Sequence, residues 1–420
     1  MKVIVVGAGI GGLTAALMLH RRGIGAEVYE QSPEVREVGV GINTLPHAIA
    51  ELADLGLLPA LDLVGVRTRE LYYYNRYGQE VWSEPRGTDA GHPVPQFSIH
   101  RGRLQKVIHD AVVSHLGQDA VKTGLSLAGF LQDEGGVTAH FTDSVRGGAG
   151  TTVRGDVLIC ADGIHSVGRR FFYPGEGAPH WNGVMMWRGA TDWTPWRDGR
   201  TMAIGGGMGA KFVLYPIAHP ENGRQLMNWV VNIKTADGEA LPPPKESWSR
   251  PAQRATVIPY ARRFRIPDFD VTGLVEATRQ IFEYPMCDRD PLPRWTHGRV
   301  SLLGDAAHPM YPVGSNGASQ AILDARALAD CLAAAEHPMQ GLAMYEAERL
   351  PKTAEVVRLN RKGGPERVID EAEKRAPAGF DDIETVMSAA ERAAIVGGYA
   401  GKAGFATDAQ GGAGLRVAKG

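Results

Sequence analysis

The chain opens MKVIVVGAGIGG, and no other stretch restricts its fold as much. Lys2 to Val6 is an apolar strand candidate, Gly7, Gly9 and Gly12 fit GxGxxG, and Leu13 to Arg22 continues with helical periodicity. Glycines at that junction permit a tight turn, close approach of backbone to a pyrophosphate, and close packing of helix on strand. The helix start then offers free N–H donors to the phosphates. The next strand, Ala26 to Glu30, ends in an acid placed to accept bonds from adenosine ribose hydroxyls, about 20 residues on as the fingerprint requires. A βαβ opening that binds an adenine dinucleotide is predicted. FAD and NAD share this adenosine diphosphate part, so the fingerprint alone leaves both open.

Composition narrows the class. With 420 residues and 44% hydrophobic content the chain can fill two or three cores. Its 45 basic and 47 acidic side chains argue against a nucleic-acid footprint. Cys160, Cys287 and Cys331 show no CxxC spacing, which argues against a disulfide framework, a redox disulfide or a cysteine-rich metal site. No metal is expected, and a reducing, cytoplasmic location is. No apolar run reaches the roughly 18 residues of a membrane span, so stable membrane insertion is not expected.

Along the chain, His47 to Leu63 reads as helical. Leu71 to Val81 reads as strands turning at Asn75 to Gly78, Leu104 to Leu116 as a helix, Val137 to Phe141 as part of a hairpin, and Val153 to Cys160 as one buried strand. Val184 to Ile233 changes to short aromatic and branched strands, which predicts an inserted antiparallel sheet. Pro242 to Pro244 interrupts it, and Leu274 to Phe282 reads as helix. Val300 to Leu303 resumes the first lobe, followed by helices at Ser319 to Ala335 and Leu342 to Leu359. The expected organisation is α/β: a Rossmann-like dinucleotide-binding domain over 1–183 with interspersed strands of the inserted domain, an antiparallel sheet mainly over 184–285, a returning segment over 286–362, and a C-terminal extension over 363–420. That extension has a charged helical stretch near Asp382 to Ala394, and its last twenty or so residues read as mobile.

Three ordered motifs, GAGIGG at Gly7 to Gly12, ADGIHS at Ala161 to Ser166, and GDAAHPMYPVGSNGASQAILDA at Gly304 to Ala325, resemble those of the FAD-dependent aromatic hydroxylases, the single-component flavoprotein monooxygenases. MYPVGSNGASQAILDA, GGPERVIDEAEKRAP and GFDDIETV resemble the phenazine-carboxylate hydroxylase branch. The resemblance implies that 1–183 is a Rossmann-like FAD-binding domain and 184–285 the antiparallel substrate-binding sheet, with FAD kept bound and NADH or NADPH visiting as reductant, so that no second nucleotide domain is needed. It implies a flavin C4a-hydroperoxide that hydroxylates an electron-rich aromatic or N-heteroaromatic ring, a carboxylate among the candidates. Asp162 and Gly163 resemble the loop near the pyrophosphate, Asp305 the acid at the ribityl chain, Arg101 the arginine that steadies the cofactor, and Gly41 and Ile42 part of a flavin-adjacent loop. Pro312, Gly314, Asn316 and Gly317 precede a helix whose free donors are suited to negative charge at the flavin N1 and C2 oxygen.

For the substrate, Trp187, Tyr215, Trp229 and Met227 are candidates to face the ring, Arg188 and Lys211 to take a carboxylate, and His47 to act as base. Each has a plainer reading, as core aromatic, exposed charge or ordinary buried histidine. Oxidative decarboxylation of a salicylate-like substrate, and a redox sensor without turnover, are the alternative functions. A small aromatic substrate and O2 are the expected partners, and the inserted sheet offers a face for a homodimer.

Overall fold

A computed structural model describes residues 1–35, 37, 39–236 and 250–406. Lys2–Val6 lies in the middle of a five-stranded parallel sheet. The order is Val300–Leu302, Val157–Cys160, Lys2–Val6, Gly25–Tyr29 and Val121–Lys122. Lys2–Val6 and Val157–Cys160, at its centre, are near-continuous apolar runs because both faces of the sheet are covered there. The helices Ile10–Arg21 and Gly317–Ala334 share one core with it.

The strand expected over Val153 to Cys160 is two strands in two sheets. Ala149–Gly155 belongs to an antiparallel three-stranded sheet and Val157–Cys160 to the parallel one. The chain crosses at Asp156, whose carboxylate accepts from the Lys2 N–H at 2.6 Å while its own N–H donates to the Lys2 carbonyl at 2.8 Å. The helix expected over His47 to Leu63 is likewise two, Pro46–Asp54 and Leu58–Val64, broken where Gly56 takes φ +78°.

The second large sheet has seven strands, in the order Ile281–Asp288, His180–Trp193, Gln225–Lys234, Ala210–Pro216, Thr201–Gly205, Glu70–Tyr74 and Glu80–Pro85. It is antiparallel except for one pair, Thr201–Gly205 beside Glu70–Tyr74. Two of its strands therefore come from the first hundred residues. Their hairpin turns where expected: Gly78 adopts φ +84° and the Asn75 side chain accepts from the N–H groups of Tyr77 and Gln79, both at 3.0 Å.

The helix expected over Leu274 to Phe282 is corrected. A short helix, Val271–Ala277, is capped by Asp270 and stops before Thr278, and Ile281–Asp288 is an edge strand paired with His180–Trp193. Aromatic and branched residues there favour a pleated surface, and tertiary pairing outweighs the mixed local pattern. In the extension, the helical stretch starts later and runs further than expected. Ser388 and Glu391 form a capping box for Ala389–Ala403, which continues through Gly397, Gly398 and Gly401. Each glycine costs about 1 kcal/mol against alanine, offset by burial of Val396, Tyr399, Ala400 and Ala403. Pro242 to Pro244 and residues 407–420 lie outside the described residues. Among those described, no helix is long and apolar enough to cross a membrane.

Candidate functional site

A cavity of about 420 Å³ runs from Gly9–Gly11, beyond the carboxyl end of the central strand of the parallel sheet, to the face of the seven-stranded sheet. Its first end follows from the glycines. A Cβ on Gly12 would sit 2.0 Å from the Gly7 carbonyl oxygen, and one on Gly7, at φ +103°, would sit 2.4 Å from that of Ala161. At Gly9 a Cβ would meet nothing within 4 Å. Gly12 thus lets the helix touch the turn after the strand, Gly7 lets that turn pass Ala161 at the end of the neighbouring strand, and Gly9 leaves open a space beside the helix start. Glu30 stands at the end of its strand, with one carboxylate oxygen accepting from the Ala8 N–H at 2.8 Å and the other from Ser32 N–H at 2.7 Å. A carboxylate has further lone pairs, so both oxygens can still accept from hydroxyls.

Arg101 and Asp305 line the cavity, and neither makes a side-chain hydrogen bond or ion pair with another described residue. Both side chains are exposed to the cavity yet surrounded by protein, and the displaced water pushes the Asp305 carboxyl up, opposed by His308 and Arg101, and pulls the Arg101 guanidinium down, opposed by Asp305. Asp162 is held by the Val167 N–H at 2.7 Å, with its other oxygen buried and unpartnered, and Gly163, at φ +78°, lines the cavity. An open cradle at a helix start, with the Arg101 guanidinium and the Asp305 carboxylate at the cavity and unpaired among the described residues, fits a phosphate-bearing cofactor with hydroxyl groups, whereas Asp162 is not in the lining.

The sheet end is decided by alternation. Along each strand every second side chain faces the cavity: Met186 and Arg188, Lys211, Val213 and Tyr215, and Val230 and Asn232. Their neighbours point the other way. Trp187, Met227 and Trp229 are not at the cavity. They are buried in the opposite core, where Trp187 donates to Glu283 at 2.9 Å and stacks on Tyr260, and Trp229 donates to Thr278 Oγ1 at 2.8 Å. Trp187 and Arg188 are adjacent on one strand, so one face cannot hold both. His47 is also absent from the lining. It is buried on Phe405 with both ring nitrogens unpartnered, and burial, with Arg349 and His92, lowers its pKa to about 3.

Tyr215 and Arg188 meet at Gly41. The Tyr215 hydroxyl donates to the Gly41 carbonyl at 2.8 Å, Arg188 donates to the same oxygen and to the Tyr284 hydroxyl, and Asn228 accepts from the Gly41 N–H at 2.7 Å. A Cβ at Gly41 would come within 2.6 Å of the Tyr215 ring, so the approach requires glycine. Ile42, next to it in the short strand Gly41–Thr44, lines the cavity. Among the described residues Arg188 has neutral partners only, whereas Lys211 forms a buried ion pair with Glu366.

Pro312, Gly314, Asn316 and Gly317 line the cavity between the two ends. Gly314 and Ser315 take φ +65° and +58°, the latter a left-handed conformation that costs a non-glycine residue about 1–2 kcal/mol. Sequence reasoning missed what holds this loop. Asn360 donates to the Tyr311 carbonyl at 2.9 Å, and the Tyr399 hydroxyl accepts from Asn316 at 2.8 Å. It also missed Asp324, which staples the turn before the loop by accepting from the Gly304 N–H at 3.1 Å, from Arg349 at 2.7 Å and from His308. Burial works against this carboxylate, yet His308 and Arg349 hold it down to about 2.

A parallel nucleotide-binding sheet joined through one cavity to a large, mostly antiparallel sheet defines the architecture of a flavin-dependent monooxygenase. The FAD binding domain family matches residues 1–360, and the chain belongs to the FAD-dependent aromatic monooxygenases, as an FAD-binding enzyme. It is 43% identical over 363 residues to a phenazine 1,6-dicarboxylic acid hydroxylase of Lysobacter antibioticus, covering 86% of this chain and 89% of that one. It is 31% identical over 399 residues to a salicylate hydroxylase of Pseudomonas putida, covering 87% and 85%. Among solved structures, HpxO of Klebsiella pneumoniae complexed with FAD and uric acid superposes with a TM-score of 0.71 at 26% identity, covering 92% of this chain and 97% of that one.

Proposed function

We propose that the chain uses NAD(P)H and O2 to hydroxylate an aromatic or N-heteroaromatic carboxylate. Ring–H, O2, NAD(P)H and a proton give ring–OH, NAD(P)⁺ and water. The observation that carries the substrate class is Arg188, a guanidinium that faces the cavity beside Met186, Val213 and Val230 with no acid paired to it among the described residues. A cation in such a place favours an anionic group on the ligand. The relative that acts on a phenazine dicarboxylic acid supports the same class.

In this reading the donors at the helix start beside Gly7, Gly9 and Gly12 hold the pyrophosphate, and Glu30 the adenosine ribose. Arg101 and Asp305 hold the phosphate and ribityl part, with Asp162 and Gly163 beside them. Gly41, fixed by Tyr215, Arg188 and Asn228, and the loop Pro312 to Gly317 flank the flavin ring. When bound, FAD supplies the two-electron reduction of O2 that delivers one oxygen atom to the ring. Met186, Met202, Ile204, Val213 and Val230 exclude water from the reacting face. Tyr215 acts through Gly41. Burial raises its phenol well above the ordinary range, which keeps it a neutral donor.

The test is turnover with labelled oxygen on phenazine and benzoate carboxylates, with product and hydrogen peroxide measured separately. A product that gains one labelled oxygen and keeps its carboxylate is expected. Loss of CO2 would support the salicylate-type reaction, and peroxide alone would overturn the proposal. For Arg188→Met, KM for carboxylated substrates should rise about 10- to 100-fold, the loss of one charge-assisted hydrogen bond. KM for the matched uncharged analogue should stay within about threefold. An equal rise for both would make Arg188 a support for Gly41 alone.

A further inference from the structure

The match to the family ends at residue 360, but the cavity does not. Pro365, Glu366, Val396, Tyr399, Ala400 and Phe405 close it from the C-terminal extension. Of these, Tyr399 has the most connections to the loop at 312–317. It is 3% exposed, and its ring fits between two glycines in left-handed backbone. A Cβ on Gly314 would come within 2.5 Å of the ring, and one on Gly364 within 3.2 Å. Its hydroxyl accepts from Asn316 Nδ2 at 2.8 Å and donates to Asn360 Oδ1 at 2.7 Å, with the Val313 carbonyl oxygen at 3.3 Å. Asn316 in turn donates to the Gly314 carbonyl at 3.1 Å, and its Oδ1 accepts from Gln320 Nε2, also at 3.1 Å. Both amide groups of Asn316 are thereby directed, and the backbone on each side of Ser315 is fixed.

We propose that Tyr399 is a positioning residue for the loop Pro312 to Gly317, so that the helix Ala389–Ala403 completes the flavin site from outside the matched region. The proposal rests on the reading above that this loop faces the flavin ring. A loop whose N–H groups must point at developing negative charge works only if its backbone is held before the charge appears. Ser315 is strained, and Asn316 has no second partner for the proton that Tyr399 accepts. Removing the hydroxyl leaves a buried amide donor and a buried amide oxygen unpaired, and lets the loop relax to commoner dihedral angles. Tyr399 touches the loop and no reacting atom, so its effect passes through the backbone.

The experiment compares wild type, Tyr399→Phe and Arg392→Ala as purified full chains reconstituted with FAD. Arg392 anchors the same helix to the sheet by donating to the Val81 carbonyl at 3.1 Å, and does not meet the loop. For Tyr399→Phe the FAD dissociation constant should rise about tenfold, the visible flavin bands should shift, and the midpoint potential should become more negative. Arg392→Ala should lower thermal stability and leave all three flavin readouts at wild-type values. Wild-type flavin properties in Tyr399→Phe, or the same changes in Arg392→Ala, would overturn the proposal. Were Tyr399→Phe to misfold, Asn360→Ser, which removes the hydroxyl's acceptor and keeps the ring, should move the bands in the same direction, and unmoved bands would count against it. If FAD does not quench the emission that Pro312→Trp, at an exposed lining position, adds over that of wild type, the reading of the loop fails. If it does and Tyr399→Phe is silent, only the role of Tyr399 fails.

Discussion

Gly9→Val and Gly12→Val should fail in opposite ways. A side chain at Gly9 enters open space beside the helix start, so Gly9→Val should fold with native circular dichroism. It should lose FAD affinity by about 100-fold or more, the ~2.7 kcal/mol of a blocked phosphate approach. At Gly12 a Cβ would lie 2.0 Å from a backbone oxygen that cannot rotate away. Strand and helix must part, at a cost of about 3 kcal/mol or more, the upper end of overpacking. Gly12→Val should therefore lower the unfolding midpoint in urea as well as flavin content. Flavin titration and urea unfolding on both variants check the pair. Normal FAD binding by Gly9→Val would remove the pyrophosphate from this end of the cavity.

These glycines were legible in the sequence because the constraint is local. Strand, turn, helix and the acid of the next strand lie within 30 residues, and each part needs its neighbours. The hairpin at Asn75 to Gly78 was legible for the same reason. Alternation along a strand is also local, and applied to Trp187–Arg188 and to Trp229–Val230 it separates cavity from core. What it does not supply is which parity faces in, because both faces of this sheet are covered and mostly apolar. Leu274 to Phe282 was read as helix, and the strand that begins at Ile281 was missed, because its pairing partner, His180–Trp193, is a hundred residues away. Tyr399 and Glu366 belong to the same class of long-range information. GGPER, which carries the branch resemblance, contains Glu366, yet nothing in those five residues points to Lys211.

That ion pair supplies the largest expected effect on stability. Lys211 and Glu366 have side chains only 3% and 4% exposed, and they join the seven-stranded sheet to the extension at the cavity wall. Two readings of Lys211 make different forecasts. As a substrate contact it would be held in readiness for a carboxylate, and Lys211→Met would raise KM with little change in stability. As one half of a buried pair it is already neutralised, and its removal strands the Glu366 carboxylate in a place that also holds Asp370, whose carboxyl is pushed up by burial and by Glu366. Breaking such a pair costs about 3–5 kcal/mol, whereas replacing both members with apolar groups of similar volume is often close to neutral. Lys211→Met should therefore be strongly destabilised in urea at fixed FAD concentration, and Lys211→Met with Glu366→Met should recover most of the loss. The cycle isolates the pair because the two residues meet directly. If the single variant unfolds at the wild-type midpoint and only KM moves, Lys211 belongs to the substrate. If the double variant recovers, the anionic group of the substrate is left to Arg188, the cavity-facing cation whose described partners are all neutral.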